Sequence, residues 1–402
     1  MIGMRRTWLT YVTVGLIVSL GGCAAILGID PTEVVAGGVG SGDGGNGPDG
    51  GAGGSDGGSH EGGGGDGGSG DTPAFDPACA IAITTLDANG EAAAPIVADN
   101  AGIYWARPQD ASTSLIWANF GGVTTLVVGT EDGDSTNDQP TVIGLALTPT
   151  HLYWSAWDTY LNDGTTTARV RQSDRNGGAI TDLDLSDAGP GVSELTLVDG
   201  KLYFGNWRIL GNAHLYSVTL PISANQKPFN ESGGLNSPLH FAGGADAIYY
   251  DEATATDLTP QNQVAIASAT AGNPNEIETT AHSVEDLVVG DGDSVYWAQT
   301  PDSEIRMHSN DRASATQPFA TISSPHLLAY DADHHMLYVA TSSPADVWSV
   351  QRFATNGTTP PPQQMCVDNL THVSAIQYFG GHFYFSATST SQGSALFDLT
   401  IK

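Results

Sequence analysis

A four-residue phrase centred on a tyrosine recurs seven times along the chain. Its tyrosines are Tyr104, Tyr153, Tyr203, Tyr249, Tyr296, Tyr338 and Tyr384. Successive tyrosines of the phrase lie 42 to 50 residues apart. A period of this length, built from short runs of strand-forming residues, is typical of four-stranded units that repeat around a central axis. Between the copies, apolar and polar residues alternate between Gly, Asp and Asn turns, which favours strands over helices.

We therefore predict an all-β fold, a seven-bladed β-propeller with one four-stranded blade for each copy of the phrase. Counts of six or eight blades stay open. The last repeat reaches the C-terminus with its third strand, at 395–399, and lacks a fourth strand. The segment 80–86 has the composition of that missing outer strand, and its pairing with the C-terminal blade would close the ring. Residues 73–402 are accordingly assigned to the propeller domain.

Residues 1–22 have the features of a signal peptide, because two arginines precede a hydrophobic stretch too short to span a bilayer. The stretch ends in Leu-Gly-Gly-Cys at Cys23, which resembles the bacterial lipobox. That resemblance implies that Cys23 is acylated and anchors the protein in a bacterial cell envelope. Since Ala24 and not Asp follows, it implies the outer membrane, on its periplasmic side or at the cell surface. An ordinary secretory signal or an uncleaved anchor is the alternative.

Residues 23–72 join this anchor to the predicted propeller. From 36 to 72 the chain is almost wholly Gly, Asp, Ser and Asn. Such a composition buries too little apolar surface to offset the entropy lost on ordering. We expect a disordered tether with a mean reach of roughly 35 Å.

Two cysteines remain once Cys23 carries lipid, namely Cys79 and Cys366. Cys79 opens the predicted N-terminal strand, and Cys366 lies in the outer strand of the sixth repeat. In an oxidising envelope compartment we expect the two to form a disulfide that clamps the seam of the ring. Two separate buried thiols are the alternative.

The chain is strongly acidic, with a formal net charge of −31. After position 71 there are 36 acidic residues against 11 lysines and arginines, a net charge of −25. Nucleic-acid binding requires clustered cations, so this class of partner is excluded. The acidity indicates either solubility through self-repulsion or a surface that attracts cations such as calcium. The segment 132–138 spaces its oxygens as calcium loops do but lacks their bidentate Glu and flanking helices, so we interpret it as a solvated loop between blades.

Residues 73–402 contain no Gly-x-Ser-x-Gly elbow, no His-Glu-x-x-His pair and no phosphate-binding glycine loop. The adjacent His334 and His335 lie where a turn is expected between two strands of the sixth repeat. A metal site there would need ligands from other blades, so we interpret the pair as turn residues. No cofactor is therefore predicted, with calcium left open, and catalytic residues are not assigned.

The candidate binding face is the end of the propeller where the loops after each second strand meet the central channel. Exposed Trp and Arg residues in such loops are the types that binding sites use. The candidates are Arg107, Trp157, Asp158, Trp207, Arg208, Asp251 and Glu252. Packing within long loops is the alternative role for these side chains.

The recurring phrase resembles the blades of YWTD-type β-propellers, and more closely the repeats of secreted bacterial propeller proteins. The resemblance covers residues 80–402 and implies the fold rather than an activity. The Thr-Asp pair that completes the eukaryotic phrase is absent, so the carboxylate hydrogen bonds that link blades in that family are not expected. As a whole, the chain is similar to the propeller lipoproteins of myxobacterial envelopes.

We predict a membrane-anchored, monomeric binding module without catalytic activity, whose ligand is a protein, peptide or glycan. The alternatives are a metal-dependent envelope hydrolase of lactonase type, with an ion in the channel, and a purely structural envelope component.

Overall fold

The computed structural model describes most of the chain that follows the glycine-rich segment. The described residues are 74–75, 80–88, 93–110, 113–132, 141–159, 166–186, 191–207, 213–235, 240–245, 247–254, 261–268, 274–280, 284–300, 302–310, 314–343, 347–356, 364–389 and 393–401. The predicted signal peptide, the whole predicted linker with Cys23, and Cys79 lie outside this part.

The described residues form antiparallel β-sheets and one single-turn 3-10 helix at Asp291–Asp293. The strands group into seven sheets, numbered here along the chain. Their bounds are given in the next two paragraphs. Within each of sheets 1 to 6, the four consecutive strands lie side by side in chain order, as in a β-meander.

Sheets 1 to 4 come first along the chain. Sheet 1 contains β3 (Ile96–Asp99), β4 (Gly102–Asp110), β5 (Thr113–Phe120) and β6 (Val123–Asp132). Sheet 2 contains β7 (Thr141–Leu147), β8 (His151–Thr159), β9 (Thr166–Asp174) and β10 (Thr181–Asp182). Sheet 3 contains β11 (Gly191–Val198), β12 (Lys201–Trp207), β13 (Ala213–Thr219) and β14 (Phe229–Leu235). Sheet 4 contains β15 (Phe241–Gly243), β16 (Ala247–Thr254), β17 (Gln261–Ser268) and β18 (Pro274–Thr280).

Sheets 5 to 7 follow, and two of them include N-terminal strands. Sheet 5 contains β19 (Asp286–Val289), β20 (Val295–Gln299), β21 (Glu304–His308) and β22 (Gln317–Thr321). Sheet 6 contains β23 (Pro325–Asp331), β24 (Met336–Ser342), β25 (Trp348–Ala354) and β26 (Gln364–Leu370), with β1 (Ala74–Phe75) at its edge. Sheet 7 contains β27 (His372–Phe379), β28 (His382–Ser389), β29 (Gly393–Ile401) and β2 (Ala80–Asp87).

The recurring phrase forms the second strand of every sheet, as the period predicts. Its tyrosines in sheets 1 to 6 are at most 2% exposed. The seventh, Tyr384, is half-buried and packs beside sheet 1. Because neighbouring residues of a strand point to opposite faces, both the tyrosine and its aromatic neighbour are buried wherever a sheet is covered on both sides. These aromatics are therefore core residues that pack between the sheets.

The apolar core lies between successive sheets rather than in one central mass. One buried cluster, for example, joins Tyr104 and Ile116 of sheet 1 to Leu145 and Trp154 of sheet 2. The first strands contact one another in the order β3, β7, β11, β15, β19, β23 and β27, and β27 in turn contacts β3. This face-to-face packing of four-stranded sheets is the architecture of a β-propeller.

The N-terminal strand β2 pairs antiparallel with β29, with Ile83 opposite Leu399 and Thr85 opposite Phe397. The order in sheet 7 is thus β27, β28, β29 and β2, so an N-terminal strand forms its outer edge. Asp87, at the end of β2, reaches across to sheet 1, where its carboxylate accepts hydrogen bonds from Arg107 Nη1 at 2.6 Å and Trp105 Nε1 at 3.2 Å. These bonds tie the outer strand of sheet 7 to sheet 1.

No helix in the described part of the chain has the length and hydrophobicity needed to cross a membrane.

Candidate ligand-binding site

We call the end of the ring where the first strands begin and the second strands end the entry rim. The sequence predicts the candidate binding face at this same end. Four ionisable side chains meet there and are called the rim cluster, defined as Glu194, His240, Asp251 and Asp286. Glu194 lies on β11, His240 directly before β15, Asp251 on β16 and Asp286 at the start of β19. The cluster therefore spans sheets 3, 4 and 5.

A bulge in the inner strand places Glu194. The register of β11 against β12 shifts between Val192 and Leu195, and a bulge of this kind re-aims the side chains at the irregularity. Sheet 2 also approaches closely at this point, because a Cβ on Gly144 would lie 2.6 Å from the Leu195 nitrogen and 2.9 Å from the Glu194 Cα. Glycine at 144 thus permits the backbone contact that fixes the position of β11.

His240 and Asp251 form a buried pair within sheet 4. The His240 backbone N–H donates to Asp251 Oδ1 at 2.8 Å, and His240 Nδ1 lies 3.3 Å from Asp251 Oδ2. Asp251 is 1% exposed, whereas the His240 side chain retains 22% of its surface. The carboxylate is therefore inside the sheet, and the imidazole is the partner that solvent can reach.

The other two carboxylates link neighbouring sheets. Glu194 Oε2 accepts the backbone N–H of Phe241 in sheet 4 at 3.4 Å. Asp286 Oδ2 accepts the N–H of Leu328 in sheet 6 at 2.7 Å, and its Oδ1 accepts that of Leu287 at 2.8 Å. Carboxylate hydrogen bonds between sheets thus occur here, from first strands rather than from the position after the tyrosine phrase.

Burial and mutual charge shift the titration of the cluster. Burial raises the pKa of Glu194 to about 7 against the attraction of the His240 cation, and the charges of Asp286 and Asp251 add to the rise. Burial likewise raises the pKa of Asp286 to about 6, again opposed by His240. For His240 burial acts to lower the pKa, but Asp251, Glu194 and Asp286 overcome it and raise the pKa to about 10. Near neutral pH the imidazole is therefore a cation shared among three carboxyl groups.

Three aromatic side chains, His326, Trp348 and His372, contact one another at the same rim on sheets 6 and 7. The His326 ring is 4.7 Å from that of Trp348, and Trp348 meets the His372 ring edge-on at 5.5 Å. His326 Nε2 lies 2.9 Å from Ser342 Oγ, and its Nδ1 lies 3.8 Å from Glu285 Oε2. Burial, with a contribution from His326, lowers the pKa of His372, so that imidazole favours its neutral form.

The structure brings one predicted site residue, Asp251, into the rim cluster. Arg107 forms the ion pair with Asp87 at 2.6 Å, and these side chains are 13% and 11% exposed, so Arg107 holds the seam between sheets 7 and 1. Trp157, Asp158, Trp207 and Glu252 lie at the rim ends of second strands, but their side chains are outside the described part of the structure, as is Arg208 entirely.

Sequence reasoning missed Glu194, His240 and Asp286. A signal for Glu194 existed, because it is the one charged residue in β11, whose other residues are apolar or small and uncharged, and a charge there would not be buried without partners. His240, between Leu239 and Phe241, and Asp286, after Glu285, stand at strand starts, and nothing in their sequence context separates them from ordinary turn residues.

His334 and His335 lie in the turn between β23 and β24, as predicted. His334 Nδ1 is 2.7 Å from the buried Asp331 carboxylate, and His335 Nδ1 is 2.6 Å from Asp291 in sheet 5. Within the described residues, no three His, Cys, Asp or Glu side chains are grouped so that they could hold a metal ion. Most of the segment 132–138 lies outside those residues.

No family model and no curated protein matches the chain. Solved structures do resemble it. Streptogramin B lyase is 11% identical and has a TM-score of 0.54, with 80% of this chain and 97% of that chain covered. A catalytically inactive virginiamycin B lyase from Staphylococcus aureus, with quinupristin, is 14% identical with a TM-score of 0.50 and coverage of 80% and 99%.

Puromycin hydrolase is 12% identical with a TM-score of 0.54, and the match covers 78% of this chain but only 53% of that chain. This chain therefore spans about half the length of that hydrolase. Identities this low carry information about architecture and none about activity. Together with the repeated four-stranded sheets, they show that the chain is a β-propeller of repeated blades.

Proposed function

We propose that the protein is an envelope-anchored, non-catalytic binding module whose ligand is a protein or peptide with a cationic side chain, bound at the entry rim. The observation that carries this proposal is the rim cluster, in which three carboxyl groups surround one imidazolium. When all four groups are ionised, the cluster keeps an excess of two negative charges at the mouth of the channel. A lysine or arginine side chain is the natural complement of that excess.

The raised pKa of His240 argues against its use as a general base. A general base must accept a proton near the working pH, and the pKa of His240, raised to about 10 by its three acidic neighbours although burial opposes the shift, prevents this. Trp348 and His372, which lie at the same rim, would add aromatic surface for the aliphatic part of the ligand side chain. A stoichiometric, tightly held divalent ion in the purified protein would instead favour the hydrolase alternative.

A tetralysine peptide should bind the protein and release protons as it does so. The pKa of Glu194, about 7, means that this group is partly protonated at neutral pH, and a nearby cation favours its ionised form. The heat of binding measured by calorimetry at pH 7 should therefore vary with the ionisation enthalpy of the buffer.

In Glu194→Gln the buffer dependence should vanish and the affinity should fall about tenfold, roughly 1.4 kcal/mol. Gln retains an oxygen that can accept the Phe241 N–H, so the variant removes charge with little change in shape. The matched control is Asp199→Asn, an exposed carboxylate at the other end of β11. Equal losses in both variants would mean that the peptide responds only to overall charge, and the rim would not be its site.

We further infer that the seven sheets are the blades of one closed ring. The contact of β27 with β3 and the pairing of β2 with β29 support this. The seal would then consist of an N-terminal strand that completes the C-terminal blade and pairs with the edge of β29.

We also propose that Cys23 is acylated, that residues 23–72 tether the ring to the membrane, and that Cys79 and Cys366 form a disulfide. In support of the disulfide, Phe75 of β1 pairs with Val367 of β26, which is the residue after Cys366, and Cys79 follows Phe75 by only four positions. Thiol titration of the denatured, membrane-derived protein should find no free thiol without reductant and two with it. A free thiol before reduction would contradict either the acylation or the disulfide, and Cys23→Ala separates the two.

A further inference from the structure

A cavity of about 390 Å³ lies at the end of the ring opposite the entry rim, between sheets 1 and 7. We call it the seam groove. The turn between β3 and β4 at Asn100 and Ala101 forms one side, and the turn between β27 and β28 at Phe379 and Gly380 forms the other. A volume of this size is within the range of small-molecule sites. The groove is separate from the rim cluster, which lies on other sheets.

A histidine with a fixed orientation lines the groove. His382 Nδ1 lies 2.8 Å and 3.1 Å from the two carboxylate oxygens of Asp398. In the neutral ring, this contact places the proton on Nδ1 and leaves the lone pair on Nε2, on the side of the ring away from Asp398. The His382 side chain is 41% exposed, and within the described residues Nε2 has no hydrogen-bond partner. It is therefore available to accept a hydrogen bond from a ligand.

Aromatic rings and fixed polar groups complete the lining. The Tyr384 ring stacks on His382 with a centroid distance of 5.9 Å and an interplanar angle of 12°. Asn119 is held by hydrogen bonds with Gly122 and Thr124, and Asp99 by the N–H of Ala101 and by Arg175. These polar groups are thus rigid.

The charge of the lining decides the class of ligand. Asp99 and Asp398 would repel an anion. The Arg175 guanidinium compensates the charge of Asp99, and the Asp398 carboxylate already accepts the Nδ1–H of His382. What the groove offers is hydrogen-bond acceptors beside aromatic faces. A neutral molecule with several hydroxyl groups and an apolar C–H face matches both features. We propose that the seam groove binds a hexose-sized neutral sugar unit.

The proposal is tested by saturation-transfer NMR on the full chain with glucose, galactose, mannose and N-acetylglucosamine, and with glucuronate as an anionic comparison. At least one neutral sugar should show saturation transfer and glucuronate should not. His382→Ala removes the acceptor, and Ala101→Trp, in an exposed turn, fills the groove while His382 and Asp398 are kept. Each variant should weaken sugar binding by about tenfold or more, whereas Glu194→Gln should leave it unchanged.

Failure of all four neutral sugars to bind would overturn the proposal. So would unchanged binding in Ala101→Trp, or binding of glucuronate as strong as that of glucose. If His382→Ala does not fold, Ala101→Trp alone still decides the result. Because Glu194→Gln alters only the entry rim, the outcome is independent of whether the rim binds a cationic peptide.

Discussion

Replacing Asp251 with alanine should destabilise the protein by about 3–5 kcal/mol, which corresponds to a Tm lower by roughly 5–8 °C for a domain of this size. The wild-type carboxylate is 1% exposed, accepts the His240 N–H at 2.8 Å and pairs with the imidazole at 3.3 Å. In the alanine variant the buried backbone N–H of His240 loses its acceptor, and the His240 imidazole loses its carboxylate partner. Removing one partner of a buried ion pair destabilises the fold by more than the intact pair stabilises it, because the other charge stays buried without its partner.

The loss of stability in Asp251→Ala should become smaller as the pH rises. The pKa of His240 is raised from 6.5 to about 10 in the folded state, because Asp251 and the other two carboxylates outweigh the burial that acts to lower it. A group with a raised pKa contributes stability that is complete below the unfolded value and is lost as the pH rises through the folded value. The Tm difference between wild type and Asp251→Ala should therefore be greatest near pH 6 and narrow as the pH rises toward 10.

Calorimetry at several pH values measures this difference, with Asp199→Asn as the control. Asp199 is exposed in the turn after β11 and has a positive φ of 49°, which asparagine tolerates well. A loss in Asp251→Ala no larger than in the control, or a difference that grows above pH 8, would show that the buried pair does not stabilise the fold.

Deletion of residues 1–88 should lower the Tm by roughly 8–15 °C relative to deletion of residues 1–72, on the basis of about 5–10 kcal/mol of lost pairing and packing. The longer deletion removes β2, whose backbone pairs with β29 and whose Ile83 and Leu86 pack against the core. It also removes Asp87, the ion-pair partner of Arg107. The shorter deletion removes only the predicted signal and tether.

Loss of β2 also exposes the edge of β29, and an unpaired strand edge promotes association. Size-exclusion chromatography should therefore show oligomers for the longer deletion and a monomer for the shorter one. A synthetic peptide of residues 80–88 should restore part of the Tm by adding a strand to the open edge. Identical Tm values for the two deletions would mean that the ring does not depend on its N-terminal strand.

The sequence alone determined the architecture, because each blade is a local unit. Tyr153 and Trp154 identify a buried second strand from a window of a few residues, and the period of the phrase shows that such units follow one another. The absence of a fourth strand after Leu399 likewise pointed to the segment 80–86, observed as β2. The local pattern of apolar and polar residues predicts these strands, because strand formation and the burial of alternate residues are properties of short segments.

Only the tertiary structure determined which residues come together in the candidate sites. Glu194, His240 and Asp286 lie on different sheets, and the packing of consecutive first strands around the axis brings them together. The same holds for the seam groove, where the turn at Ala101 meets His382 because sheet 7 packs beside sheet 1. Acidic residues are abundant in this chain, so, apart from the place of Glu194 among apolar residues of β11, no local signal marks the few whose charges interact. The interaction energies of these charges depend on the distances between the groups and on their burial. The packing of the sheets sets both quantities, whereas the spacing of the residues along the sequence does not.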